Sequence, residues 1–271
     1  MGRPRTAFVF QGGGSLSAPQ VGMLRALTEA GITPDFVIGS SAGALNAVAF
    51  ANAPTLEGLD RLTDLWLGLR WRNVARFSVP LLVRAFVGKR DGLLDASPIV
   101  DVLRFGMAPA VLEDTILPVH VVATDFYTAE PVILSSGDTV SALLASAAFP
   151  GLYAPVDRNG LRLIDGGVGA DIPILQAEAL GATVSYILPA AVADDDGSPP
   201  HGPLAMAYHA LGQILDATAR RDAQAARGEV HLLPAAASGA SNPLDFRGSK
   251  RLMDDGYRLA REWLVSKAVS A

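Results

Sequence analysis

Short, continuously apolar runs with a strand bias recur along this chain, and helical patterns fall between them. The runs are Ala7–Phe10, Phe36–Ile38, Val119–Ala123, Val132–Leu134, Leu161–Ile164, Val184–Leu188 and Val230–Leu233. Ala18–Ala30, Ala42–Ala51, Pro98–Phe105, Thr139–Ala147, Ile174–Leu180 and Ser249–Val265 read as helices. A strand that is apolar on both faces must be covered on both faces. The alternation therefore predicts an α/β fold, with a mostly parallel sheet and helices on either side. Gly31 and Gly181 stand just past helical runs, where a C-terminal cap is expected. No internal repeat is visible, and residues 6–271 read as one domain.

Composition removes several classes of function. Of 271 residues half are hydrophobic, enough for one large core, and only 18% are charged, which argues against disorder. No apolar run approaches the roughly 20 residues that span a bilayer. The opening Met1-Gly2-Arg3-Pro4-Arg5 is basic, yet Ala7–Phe10 is too short for a signal-peptide core and reads as a first buried strand. The same early strand disfavours the myristoylation pattern that begins at Gly2. A net charge of −5 argues against nucleic acid as a partner. The absence of cysteine leaves no disulfide or thiolate metal site, so a cytoplasmic location is expected.

Two segments depart from the alternation. Asp194-Asp195-Asp196-Gly197-Ser198-Pro199-Pro200 is acidic and rich in turn formers, a surface loop. Thr55–Arg90 carries Leu65, Trp66, Leu67, Leu69, Trp71, Leu81, Leu82, Val83 and Phe86 interleaved with Arg61, Arg70, Arg72, Arg76, Arg84, Lys89 and Arg90. Such an insertion, extending to about residue 110, reads as a helical hairpin with solvated arginines outside and an apolar side walling a cleft. Peripheral contact with a membrane surface is the other reading.

Chemistry concentrates at Gly39-Ser40-Ser41-Ala42-Gly43. The strand Phe36–Ile38 leads into it and the helix Ala42–Ala51 leads out, the context that gives a G-x-S-x-G pattern meaning. A strand reversing into a helix within a few residues leaves no room for side chains beside the serine, hence Gly39 and Gly43. The Ser41 hydroxyl then projects above the sheet, near the positive end of the following helix. A hydroxyl needs a base to take its proton and donors to hold the oxyanion. Gly12-Gly13-Gly14, after the first strand, supplies backbone N–H groups without side-chain obstruction. Ser17 and Gln20 resemble a capping box for the next helix. A dinucleotide loop is the competing reading, but Ser17 stands where its third glycine belongs. For the base, Asp165 ends a strand and is followed by Gly166-Gly167, a geometry that presents its side chain at the edge of a parallel sheet, where ligands bind. His201, His209 and His231 follow it in the order of a conventional triad, and each also reads as structural; His120 lies within a strand.

Together these pieces resemble the patatin-like phospholipase family. The likeness runs in family order through Gln20–Leu24, Val37–Asn46, Ala145–Gly151 and Leu163–Val168, over a core of about residues 8–173; of the strand–helix extension at about 204–268, the Asn242–Leu264 tail resembles a bacterial subset of the family. The resemblance implies a three-layer α/β/α sandwich and a serine acyl hydrolase that uses a Ser–Asp dyad without histidine. It makes Ser41 the nucleophile, Asp165 the general base, and the Gly13 and Gly14 N–H groups the oxyanion hole, with Gly12 shaping the turn. The implied partner is a lipid or acyl-ester substrate, a phospholipid or lysophospholipid, and no cofactor or metal is called for. Leu16 and Ser17 stand where the family often has a cation followed by glycine, which puts any role of that cation in doubt.

Overall fold

The computed structural model describes residues 3–74, 76, 87, 91–105, 109–192, 202–238 and 244–270. The acidic loop 194–200, His201, Met1 and Gly2, and Leu81–Phe86 with Lys89 and Arg90 lie outside them. One sheet organises the rest. Its strands are β1 (Thr6–Phe10), β2 (Phe36–Ser40), β3 (Val119–Asp125), β4 (Pro131–Leu134), β5 (Val156–Arg158), β6 (Leu161–Asp165), β7 (Val184–Leu188) and β8 (Glu229–Leu232). They pair in the order β5-β6-β3-β2-β1-β7-β8, with β4 also on β3. The pairs β8–β7, β7–β1, β1–β2 and β2–β3 are parallel, while β4, β5 and β6 pair antiparallel.

Alternate residues of the central strands feed two cores. Phe8 and Phe10 of β1 and Val37 of β2 pack with α1 (Pro19–Glu29), α2 (Ala42–Asn52) and α3 (Leu56–Gly68). Ala7, Val9, Phe36 and Ile38 point the other way, against Ala170, Ile174 and Ala177. Those three belong to α7 (Gly166–Ala170) and α8 (Ile174–Ala179). This is the α/β/α sandwich the resemblance implies. Each large side chain buried in this way contributes about 1.5–3 kcal/mol. Between the two cores in chain order lie α4 (Trp71–Val74), α5 (Ser97–Phe105) and α6 (Thr139–Ser146).

The C-terminal extension is built into the same layers. A long helix, α9 (Pro203–Ala225), packs on α7 and α8, and α10 (Ser249–Ser270) lies along α1. The α1–α10 approach is backbone to backbone. A side chain at Gly22 would sit 2.0 Å from the Met253 carbonyl oxygen, and one at Gly256 2.3 Å from that of Pro19.

The sequence expectations need three corrections. Ser17 and Gln20 form no capping box. Ser17 ends a 3-10 turn (Gly14–Ser17), and α1 starts at Pro19 without a side-chain cap. Second, β6 lies antiparallel to β3, so Asp165 does not end a parallel strand. Third, β5 is a strand that no apolar run announced, its residues being half-buried or exposed.

Candidate active site

The ladder of β3 explains why Ser41 and Asp165 meet. β2 pairs with Val119–Val122, and β6 with Ala123–Asp125. Both use the even-numbered residues of β3, since Val37 N–H donates to the Pro118 carbonyl and Phe126 N–H to that of Arg162. The odd-numbered edge serves the 130–134 strand, with Asp125 N–H donating to the Glu130 carbonyl. A residue's N–H and C=O leave a strand on the same side. So β2 and β6 lie end to end along one edge and run toward each other. Their carboxyl ends face across the gap at Val122–Ala123. Ser146 of α6 fills it: its hydroxyl donates to the Val122 carbonyl at 2.6 Å and accepts from the Ser41 N–H at 2.8 Å.

Ser41 sits in the gap with φ 52° and ψ −127°, a left-handed backbone that a non-glycine residue holds at a cost of about 1–3 kcal/mol. The turn has no spare room. A Cβ at Gly39 would lie 2.6 Å from the Gly43 carbonyl oxygen, and one at Gly43 2.4 Å from that of Gln11. Across the gap, a Cβ at Gly166 would lie 2.1 Å from the Val122 oxygen. The Ser41 hydroxyl donates to Asp165 Oδ2 at 2.8 Å. The other carboxylate oxygen, Oδ1, accepts the Gly167 N–H at 2.8 Å, so both oxygens are held.

The glycine loop lies alongside. Gly13 (φ 145°) and Gly14 (φ 59°) adopt backbone that favours glycine, and a Cβ at Gly12 would come within 3.4 Å of the Ser41 Cβ. Gly12 N–H donates to the Asp171 carbonyl, and among the described residues nothing accepts from the N–H of Gly13 or Gly14. Leu16 and Ser17 are held through their main chains. Leu16 C=O accepts from the Ala191 N–H, and Ser17 C=O from the Asn46 amide. Behind the loop runs a chain of buried amides. Gln20 Nε2 donates to the Gln11 and Leu188 carbonyls at 2.7 and 3.0 Å. Asn46 Nδ2 donates to Gln20 Oε1, and Trp66 Nε1 to Asn46 Oδ1, both at 2.8 Å. Gln20 and Asn46 are completely buried, so each lost partner would cost about 1–3 kcal/mol.

Electrostatics set Asp165 apart. Burial pushes its carboxyl up to about 7, against the opposing hydrogen bonds from Ser41 and Gly167, and the nearby Asp171 charge adds to the rise. An unfolded aspartate titrates near 3.9. The raised folded value means that ionisation opposes folding: nothing is lost below about pH 4, and the loss grows until about pH 7. Asp165→Asn is therefore expected to be more stable than wild type at pH 8, by up to about 4 kcal/mol. Urea unfolding at pH 8 and pH 4 checks this, because the difference should vanish at the lower pH.

The three histidines among the described residues sit elsewhere. His120 Nδ1 lies 2.7 Å from the Ser135 hydroxyl, His231 Nε2 lies 3.0 Å from Glu229, and His209 is exposed on α9. None of these three is among the polar partners of Ser41 or Asp165. Among the described residues no group of three or more His, Asp or Glu side chains is placed to hold a metal ion. The apolar side of the insertion packs on α2 and leaves a hollow of only about 10 Å³. Leu65 of α3 and Leu103 of α5 face Leu45 and Val48 of α2, the helix that starts at the elbow. Among the described residues, no helix is long and apolar enough to cross a membrane. Three contributors lacked a signal at the level of sequence. Ser146 lay in a family-like block with no role attached, and Gln11 and Asp171 carried only their positions beside motifs.

Known proteins resemble this arrangement. VipD from Legionella pneumophila shares the fold, with a TM-score of 0.51 at 16% identity over 98% of this chain and 67% of its own. An uncharacterized NTE family protein of Mycobacterium tuberculosis is 29% identical over 182 residues, which is 67% of this chain and 48% of the relative. A lysophospholipase, nte1, of Aspergillus terreus is 28% identical over 192 residues, 69% of this chain but 12% of the relative. The chain thus spans about half, or far less, of the curated relatives it matches. Residues 8–178, which take in the glycine loop, the elbow and Asp165 alike, match the model of the patatin-like phospholipases, and the chain belongs to that family.

Proposed function

We propose that this chain is a serine acyl hydrolase of lipid esters, with Ser41 as nucleophile and Asp165 as its base. The observation that carries the reading is the 2.8 Å hydrogen bond from the Ser41 hydroxyl to Asp165 Oδ2, made from a strained elbow beside a loop of unclaimed N–H donors. Asp165 takes the hydroxyl proton as Oγ bonds to the ester carbonyl carbon. The carbonyl oxygen gathers negative charge beside the Gly13 and Gly14 N–H groups, each such donor being worth about 2.7–4 kcal/mol. Collapse breaks the ester C–O bond, and the alcohol leaves with the proton from Asp165. Water then attacks the acyl-enzyme carbonyl and gives a proton to the same carboxylate; collapse breaks the acyl–Oγ bond, and Asp165 returns that proton to the Ser41 oxygen as the fatty acid leaves.

A carboxylate with an ordinary pKa is too weak a base for a hydroxyl. The rise to about 7 brings Asp165 close to the working pH, where a general base is most effective. Membership of the patatin-like phospholipases supports phospholipid and lysophospholipid as the substrate class. Fatty-acid release from lysophosphatidylcholine and phosphatidylcholine, together with turnover of short nitrophenyl esters, tests the activity. His201→Ala, His209→Ala and His231→Ala should each keep at least half of it. Abolition by any of them would replace the dyad with a triad, and lipid binding without turnover would remove the enzyme reading altogether.

A further inference from the structure

A second carboxylate, Asp171, stands at the centre of the site, and the dyad chemistry leaves it unused. It caps the end of α7, six residues after Asp165. Gly167 separates the two: a side chain there would meet Asp165 Oδ1 at 3.0 Å and Asp171 Oδ1 at 3.1 Å. Gly12 separates Asp171 from the serine in the same way, with the Asp171 Oδ1 at 2.6 Å and the Ser41 Cβ at 3.4 Å from its missing Cβ. Gln11 ties the group down. Its Oε1 accepts the Ala190 N–H at 3.0 Å, which turns its Nε2 toward Asp171 Oδ2 at 2.8 Å. The Asp171 backbone carbonyl also accepts from the Gly12 N–H at 3.2 Å. One residue thus holds the glycine loop through both its main chain and, by way of Gln11, its side chain.

We infer that Asp171 is a positioning residue for the reaction: through Gln11 it fixes the N–H donors of the glycine loop, and its negative charge opposes ionisation of Asp165. Like charges this close disfavour the doubly ionised state. The inference rests on the proposed dyad. The groups facing the pair fit it. The glycine loop, β2, α2 and α6 bring no titratable side chain, β3 brings His120 and Asp125, and β6 brings Arg162. Below, α8 carries Glu178, and α9 carries His209, Asp216, Arg220, Arg221 and Asp222. Of these Asp216 bears on Asp171, adding to a rise to about 6 that burial drives and Gln11 opposes.

Asp171→Asn keeps an acceptor for Gln11 and removes the charge. The pH profile of kcat/KM on soluble p-nitrophenyl butyrate should move its acid midpoint down by about 0.5–1 pH unit, which raises activity over wild type about 3- to 10-fold well below the midpoint. An unmoved or raised midpoint overturns the electrostatic half. Gln11→Met, which leaves the carboxylate in place, should lower kcat at least about 10-fold with KM within about twofold, because the loop donors act on the oxyanion rather than on the bound ester. An unchanged kcat in that folded variant overturns the anchoring half, and it does so even if Asp171→Asn fails to fold. Asp165→Asn, run in parallel, separates the two levels. If it is active, the dyad itself is wrong; if it is inactive while the Asp171→Asn profile is unmoved, this inference alone falls.

Discussion

Ser41→Ala is expected to lower turnover of a short acyl ester by about 10,000-fold or more while the protein stays folded, the loss that follows removal of a catalytic nucleophile elsewhere. Folding should survive because the hydroxyl is not what holds the elbow. The Ser41 N–H is bound by Ser146, and the tight approaches at Gly39 and Gly43 involve main chain alone. Alanine still has a Cβ at φ 52°, so the backbone strain remains and stability should change by less than about 1 kcal/mol. Parallel measurement of kcat/KM and a denaturant midpoint checks both halves. Comparable turnover in Ser41→Ala and wild type would move the chemistry to another residue.

The second large effect belongs to Asp165. Asp165→Asn should reduce kcat by about 100- to 10,000-fold, the range for loss of a general base. KM should hold nearly constant, because the carboxylate faces the serine rather than the substrate. In wild type the acid limb of kcat/KM should have its midpoint near 7, since burial holds the carboxyl there and only the ionised form can take the hydroxyl proton. The same substitution is expected to stabilise the fold at pH 8. That pairing of lost activity with gained stability marks a group kept for chemistry against its own folding preference. A substitution that cost both activity and stability would instead make Asp165 a structural cap of α7.

The elbow was legible because it is local. Strand, turn and helix follow one another within a few residues, and the glycines at 39 and 43 respond to neighbours in the turn and to the adjoining loop. Asp165 was legible for a similar reason, as a strand-end aspartate before two glycines. What brings the two together was not. It depends on β2 and β6 sharing one edge of β3 and stopping head to head, a matter of register between segments about 80 and 40 residues from β3 in sequence. That β6 runs antiparallel belongs to the same hidden layer. Gln20 shows how a local rule loses to burial. Three residues after Ser17 it fits a capping box, yet inside the protein its amide has partners on Gln11, Leu188 and Asn46, and a completely buried amide cannot leave them empty. Trp66, read as part of the apolar side of an insertion, closes that chain through its indole N–H. Of the insertion's apolar residues Trp66 and Leu69 are buried and Leu65 is half-buried, but Leu67 and Trp71 are exposed beside Arg61, Arg70, Arg72 and Arg76. Asp171 had no signature at all, because its place is set by Gly12 and Gly167, which stand between it and Ser41 and Asp165.

Treatment with a fluorophosphonate probe, followed by mass spectrometry of the digested protein, tests the central claim most directly. The account predicts a phosphonate adduct on Ser41 in wild type, none at that peptide in Ser41→Ala, and formation slowed at least about 100-fold in Asp165→Asn. An unmodified Ser41 with the adduct on another residue, or labelling of Ser41 at the wild-type rate without the Asp165 carboxylate, would contradict it.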